Sequence, residues 1–468
     1  MPPIGMSNEN LSNFIDRLPP EIADTVCSYL ESTDIASLRL TSQFWTNVAT
    51  PWLLQEAHLI FKPDSFERLL AISRHPVISR YVTSLFYEPD TLQKYYTQEE
   101  WESDIVGEGW MSNMPALPMP GASEREHRAY RRDCKRLMQQ PNHAYSNDEL
   151  SAAYATYVKL YEEQEELRWE GYGAKPLADA MRRLPNLAGV CMSMGCNIVT
   201  RSDHVKRAFS AGLQIPSGDH YGVDSPGPGV SQTRSILLGA HQAGVQLKQL
   251  QLGDVDWKFF QAKKCDMQNM KQSLRSLRIL QLVISTGYDE DEIEIGVEIP
   301  ECREYLENNS LCGFIEAAPD LEILSLSFDW FEPCCPAELK QVVRSTTWPR
   351  LRSVSFENLD VDEEDWIAFF DRHCSSLRDL NLKTIRLLQG RWAEVLERMS
   401  KVLTLESAYN RGRLLGEEPY QNWNLEPSIW AEYSDLSDQG NRTSKAIQDY
   451  LVNGGSCPLL DEEAHPQS

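Results

Sequence analysis

The pattern Leu-x-x-Leu-x-Leu recurs along the second half of this chain and constrains its fold more than any other feature. It runs from Leu247 to Leu252, Leu277 to Leu282, Leu321 to Leu326 and Leu377 to Leu382. Leu351 to Phe356 is the same form, with Val354 and Phe356 in the later places. Leu187 to Met192 is a weaker first copy, and Val402 to Leu405 marks a seventh. Alternation at period 2 predicts short strands whose leucines share one face. Between the copies lie segments with apolar residues at helical spacing, such as EEDWIAFFDRHCSSL and RWAEVLERMSKV. Strand, helix, strand is one unit, and a unit that cannot bury its own face must stack on its neighbours. Proline precedes several of the strands, in LPNL, APDL and WPRL, where it ends the helix and feeds the strand.

Residues set between the inward leucines point to the opposite face. They are Gln249, Gln251, Ile279, Gln281, Ile323, Ser325, Ser353, Ser355, Asp379 and Asn381. This set is mostly small and neutral, which suits a protein or peptide ligand better than a phosphate-rich one. Recognition of phosphate would want clustered arginine, and the set holds none.

The amino-terminal stretch Leu18 to Trp45 reads as three short helices. Pro20 and Glu21 suit a helix start, and Ile22, Val26 and Leu30 recur every four residues as an apolar stripe. Asp34 is positioned to cap a second helix bearing Ile35, Leu38 and Leu40, and Phe44, Trp45 and Val48 follow on a third. This head carries more apolar surface than it can hide within itself, so it docks either on a partner or on the rest of its own chain.

Between head and repeats, FERLLAISRHPVISRYVTSLFYEP predicts a helix and then a strand from Tyr81 to Phe86. A Gly-, Pro-, Met- and Ser-rich stretch near 103–123 predicts a mobile insertion. The basic stretch from Arg125 to Arg136 is interleaved with acids and reads as a solvated helix face. A long helix follows, with Tyr154, Tyr157 and Tyr161 at helical spacing as core or interface. Residues 216–233 and the acidic run 285–304 read as loops. In the tail, Trp423, Trp430 and Tyr433 are suited to cap the last repeat, and disorder is expected beyond Gly454.

The net charge of −24 argues against broad binding to nucleic acid or anionic membrane. No apolar run reaches membrane-spanning length. The first ten residues lack a signal-peptide pattern, so a cytosolic or nuclear location with reduced cysteines is expected. Catalytic and metal-binding motifs are missing: there is no H-E-x-x-H, G-x-S-x-G or G-x-x-x-x-G-K-S/T. Cys191 with Cys196, and Cys334 with Cys335, lack the paired spacing of a zinc site. His204, His220, His241 and His373 stand alone, and the neighbours His373 and Cys374 point apart on a helix. No catalytic residue, metal or cofactor is therefore expected. An enzyme would instead need a polar pocket between residues 90 and 175.

The head resembles an F-box. Leu18-Pro19, Glu21-Ile22, Tyr29-Leu30, Asp34-Ile35, Leu38-Arg39-Leu40, Phe44-Trp45 and Val48-Ala49 follow that family's pattern, with Thr41-Ser42 departing from it. The repeats resemble leucine-rich repeats of the cysteine-bearing kind, HCSSLRDLNL above all. Their leading leucines lie 26 to 44 residues apart, wider than the regular period of about 20–29. Taken together the chain is similar to F-box proteins numerous in filamentous fungi. The resemblance implies an α/β chain: an F-box over 11–60, a helical linker region over 61–183, an irregular leucine-rich-repeat solenoid over 184–415, and a cap and disordered tail over 416–468. It implies a non-catalytic substrate receptor of a cullin–RING ubiquitin ligase, with Leu18, Pro19, Ile22, Val26, Leu30, Ile35 and Leu38 docking on a Skp-family adaptor. A non-degradative scaffold of the same build is the alternative.

Overall fold

The computed structural model describes residues 18–108, 132, 145–169, 173–194, 198, 202–216, 218, 227, 229–286, 298–328, 337–417, 421–425 and 438–460. Within them ten strands form one sheet: β1 (Glu56–Ile60), β2 (Ser84–Glu88), β3 (Gly189–Met192), β4 (Gln249–Asp256), β5 (Ile279–Ser285), β6 (Ile323–Phe328), β7 (Ser353–Asp362), β8 (Asp379–Gln389), β9 (Ser407–Leu415) and β10 (Asn422–Asn424). The strands lie side by side in chain order. Each neighbouring pair is parallel except β9 with β10.

Parallel neighbours need a crossover, and helices supply most of it. In chain order they are α1 (Pro20–Cys27), α2 (Ser32–Leu38), α3 (Gln43–Ala49), α4 (Pro63–Arg74), α5 (Gln98–Glu108), α6 (Asn147–Trp169), α7 (Ala174–Met181), α8 (Asp203–Phe209), α9 (Val230–Ala243), α10 (Lys264–Gln272), α11 (Glu298–Glu307), α12 (Ser310–Ile315), α13 (Leu339–Val342), α14 (Glu363–His373), α15 (Trp392–Val402) and α16 (Asp438–Asn453).

The repeated leucines build the core as their period requires. Leu250, Leu280, Leu324, Val354 and Leu380 are cross-strand partners in one row, and Leu252, Leu282, Leu326, Phe356 and Leu382 form the next. All are buried in one continuous cluster with Leu237, Met270, Phe314, Val342, Phe369 and Leu396 from the helices. Sheets that are parallel throughout are usually covered on both faces, and their strands then read as unbroken apolar runs. Here β5 and β6 alternate buried and part-exposed residues, so the second face stays partly open.

The sheet begins earlier than the repeats suggest. β1 and β2 come from residues assigned above to the head's end and to a linker, and both continue the sheet outward from β3. The middle region also covers the second face at that end. Ile60 packs there with Leu92, Trp101, Leu150, Tyr157, Leu160, Val205 and Phe209, in a cluster separate from the main core. Residues 103–108, expected in a mobile insertion, finish α5, and α9 starts at Val230 inside an expected loop. The rest of the expected insertion and most of the basic stretch lie outside the described residues, as do 287–297, Trp430 and Tyr433. At the far end, β10 and α16 pack on β9, with Trp423, Ile447 and Leu451 joining the core. Disorder beyond Gly454 was the expectation, yet Cys457 and Leu459 are buried against the same core, which orders the chain at least to Leu460.

His373 shows how this core constrains a titratable group. It is fully buried on α14. Its Nδ1 hydrogen-bonds the Phe369 carbonyl oxygen at 2.8 Å, and its Nε2 accepts the Trp348 backbone N–H at 3.1 Å. That pairing uses the neutral ring in full. Burial pushes its pKa below the ordinary histidine value, although the Phe369 bond works the other way. The unfolded chain therefore takes up the proton first as pH falls. The stability that His373 contributes is present above about pH 6.5 and is lost as pH falls from there toward the depressed native value. Denaturant unfolding at pH 7 and pH 5 is expected to show this loss, at up to about 1.4 kcal/mol per pH unit. His373→Gln is expected to lack that component.

Candidate functional site

The head closes around a small core of its own. Ala23 and Cys27 on α1, Ile35 on α2, and Trp45 and Ala49 on α3 are buried together, with Leu18, Leu38, Phe44 and Val48 packed at the edge. Ser42 caps α3 by accepting the Trp45 N–H at 3.3 Å. This core uses the stripe one residue round from Ile22, Val26 and Leu30. Those three stay exposed, Ile22 at 51% and Val26 at 40%. Tyr29 and Leu40 are more exposed still, at 85% and 88%. Pro19 is exposed beside them. Ile35 departs from the expected docking set: at 1% exposure it holds the head together and presents nothing to a partner. Leu18 and Leu38 are half-buried and straddle the two roles.

The open sheet face is the second candidate surface. All ten residues assigned to it lie in two cross-strand rows. The first is Gln249, Ile279, Ile323, Ser353, Asp379 and then Ser407. The second is Gln251, Gln281, Ser325, Ser355, Asn381 and then Tyr409. A third row, Val283, Ser327, Glu357, Lys383 and Arg411, lies one step on. Ser407 and Tyr409 were not legible in the sequence, because Ala408 and Asn410 take the inward places in β9 where leucines would announce the strand.

The face has a definite chemistry. Gln249 Nε2 donates to Gln251 Oε1 at 2.8 Å, and Gln251 Nε2 donates to Gln281 Oε1 at 2.8 Å, forming an amide ladder over β4 and β5. Asn381 Nδ2 donates to Ser355 Oγ at 3.1 Å, and Ser407 Oγ donates to Asp379 Oδ1 at 2.7 Å. Ile279 and Ile323 form an apolar island beside the ladder, with Ile323 exposed. Tyr409 rises at the far side. An apolar island between amide and hydroxyl groups can hold an extended segment by burial and by hydrogen bonds to its backbone.

At the β1 end the face is closed. His58 stands between Phe86 and His204, with ring centroids 5.2 Å and 4.7 Å away. Its Nε2 meets Glu56 at 3.2 Å, and this bond holds the Glu56 carboxyl below the usual range. Burial and then the His58 charge push the His204 pKa down. Cys191 adjoins Gln251 on the same face. Burial, reinforced by Glu56 and Glu88, raises its thiol to about 12, which makes it a poor nucleophile at neutral pH.

A charged rim borders the face where the strands enter. Lys248, Arg278, Glu322, Arg352, Arg378 and Glu406 succeed one another through backbone hydrogen bonds. Arg278 meets Glu322 at 3.4 Å and Arg352 meets Glu406 at 2.7 Å. The two facing rows hold no arginine, as expected, but arginines stand directly beside them. The signal was in the sequence: a charged residue follows the leading leucine of each unit from Leu247 to Leu377, and Glu406 follows Leu405, which takes the leading place before β9 and not the last place of a copy starting at Val402.

Among the described residues, no cluster of three or more His, Cys, Asp or Glu side chains is placed to hold a metal ion, and no helix is long and apolar enough to cross a membrane. No family model matches the chain, and no curated protein matches it either.

Proposed function

We propose that this chain is the non-catalytic substrate receptor of an SCF-type cullin–RING ubiquitin ligase, acting in the cytosol or nucleus. Its head is an F-box that docks on a Skp-family adaptor. Its stacked strand–helix units are an irregular leucine-rich-repeat solenoid that holds a target protein on the open face. One observation supports this reading above the others. The head completes its core with Ala23, Cys27, Ile35, Trp45 and Ala49, and leaves Ile22, Val26, Tyr29, Leu30 and Leu40 exposed. Apolar side chains held in solvent on a small folded head are a docking surface. The ligase would gain rate by holding a target lysine near the ubiquitin-loaded enzyme, with no chemistry on this chain.

A pull-down of the tagged full chain from its own cells tests the reading. The unaltered chain is expected to bring down a Skp-family adaptor and a cullin, and a Leu18→Ala/Pro19→Ala chain to lose both. Ubiquitination of co-purified proteins then separates a ligase receptor from a non-degradative scaffold. A folded wild-type chain that captures no adaptor would overturn the proposal.

A further inference from the structure

One pocket outside both surfaces lies in the middle region. It has a volume of about 220 Å3 and is lined by Lys94, Tyr95, Tyr154, Tyr157, Val158, Tyr161 and Glu162. That is below the roughly 300–1,000 Å3 of sites for drug-sized ligands, so it admits a small group and not a nucleotide. α6 brings three of its tyrosines to one side, since positions 154, 157 and 161 fall on one helical face.

Two of the rings are held by hydrogen bonds. Tyr157 donates its hydroxyl to the Gln93 carbonyl oxygen, and Tyr95 donates its own to Asp104. Gln214 Nε2 also donates to the Tyr95 hydroxyl oxygen, at 2.7 Å. The Tyr95 and Tyr157 centroids are 5.6 Å apart at 58°, and Tyr154 stacks on Tyr157 at 6.4 Å. Burial first, then neighbouring phenols, keeps Tyr157 protonated, and burial and Glu165 do the same for Tyr161. The lining is thus uncharged phenols and Val158, with Tyr157 itself buried, beside the Glu162 carboxylate and Lys94, and Asp104 holds Tyr95.

We infer that this tyrosine pocket binds a methylated ammonium group, either the head group of a methylated lysine or a free choline-type cation. Ring faces attract a cation within about 6 Å, and methyl groups favour these walls over water, while a carboxylate supplies the counter-charge. The same surface already places a cation on a tyrosine: Lys94 Nζ sits 4.9 Å from the Tyr96 centroid. Lys94 also lines the pocket, so it opposes an incoming cation and sets the sign of one test. The pocket holds no nucleophile paired with a base, so the role is binding.

Calorimetric titration of the full chain tests this with four probes: a trimethyllysine peptide, its unmethylated lysine form, choline, and 3,3-dimethylbutan-1-ol, the neutral carbon counterpart of choline. Choline or the trimethyllysine peptide is expected to bind at least about tenfold more tightly than its partner probe, the equivalent of about 1.4 kcal/mol. A preference confined to the peptide assigns a methylated lysine, and equal binding of choline assigns a small cation. Tyr161→Leu, which keeps apolar volume, and Glu162→Gln are each expected to weaken binding several-fold. Lys94→Ala is expected to tighten it. Equal binding within both pairs, choline with its neutral counterpart and the trimethyllysine peptide with its unmethylated form, would overturn the inference. So would weaker binding by Lys94→Ala, or no binding of any cation to a chain whose circular dichroism shows it folded.

Discussion

Asp360→Ala is expected to cost about 3 kcal/mol of stability, more than the loss of any surface ion pair in this chain. Asp360 lies on β7 and is 2% exposed. Arg386, its register partner on β8, donates Nε–H to Oδ1 at 2.8 Å and Nη2–H to Oδ2. Arg303 on α11 reaches Oδ2 at 3.5 Å. Removing one partner of a buried pair strands the other, and that penalty runs to about 3–5 kcal/mol. The lower end applies because the Arg386 side chain keeps about a fifth of its surface in water. Arg303 keeps more of its side chain in water, 36%, and lies farther off, so Arg303→Ala is expected to cost under about 1 kcal/mol. Denaturant midpoints of the two variants decide. Similar losses for both would mean that the Asp360–Arg386 bond does not anchor this part of the sheet.

Ile22→Asp with Val26→Asp is expected to weaken adaptor binding by at least about 100-fold and leave unfolding unchanged within about 1 kcal/mol. About half of Ile22 is already covered in the free head, so its further burial is worth about 1 kcal/mol, and Val26 adds about as much. The larger effect is the carboxylate: docking would bury a charge with no partner, which costs several kcal/mol more. Neither position belongs to the head core, so no packing is lost, and the acid at position 26, in the last turn of α1, costs only a modest amount against the helix dipole. Position 22 is in the first turn of α1, where an acid is favoured by the helix dipole.

The strands β3 to β8 were legible because nearly every inward place is a large aliphatic or aromatic residue, and period 2 then fixes the outward set as well. β9 escaped because Ala408 and Asn410 occupy those places. β1, with only Ala57 and Leu59 facing the main core, is recognisable once its register with β2 is known. The Asp360–Arg386 pair spans 26 residues of sequence and emerges only from the register of β7 and β8. In the head the apolar period marked α1 correctly but not which stripe faces inward. Ala23 and Cys27 are small and pack closely, so the larger Ile22 and Val26 remain outside. α2 has seven residues, two turns, which is too short for periodicity to tell that Ile35 points in. The tyrosine stripe on α6 is core as its spacing predicts, with Tyr157 buried in the second cluster and Tyr154 and Tyr161 packed against it, but Tyr95 opposite it is placed only by the fold.

The proposed function requires the exposed stripe of the head to dock on a Skp-family adaptor. Titration of the purified full chain with purified adaptor tests it most directly, run beside the Ile22→Asp/Val26→Asp chain. Saturable one-to-one binding by the wild type, lost in a variant that unfolds at nearly the same denaturant concentration, is the result predicted by this account. A folded wild-type chain that does not bind, or a variant that binds equally well, would contradict it.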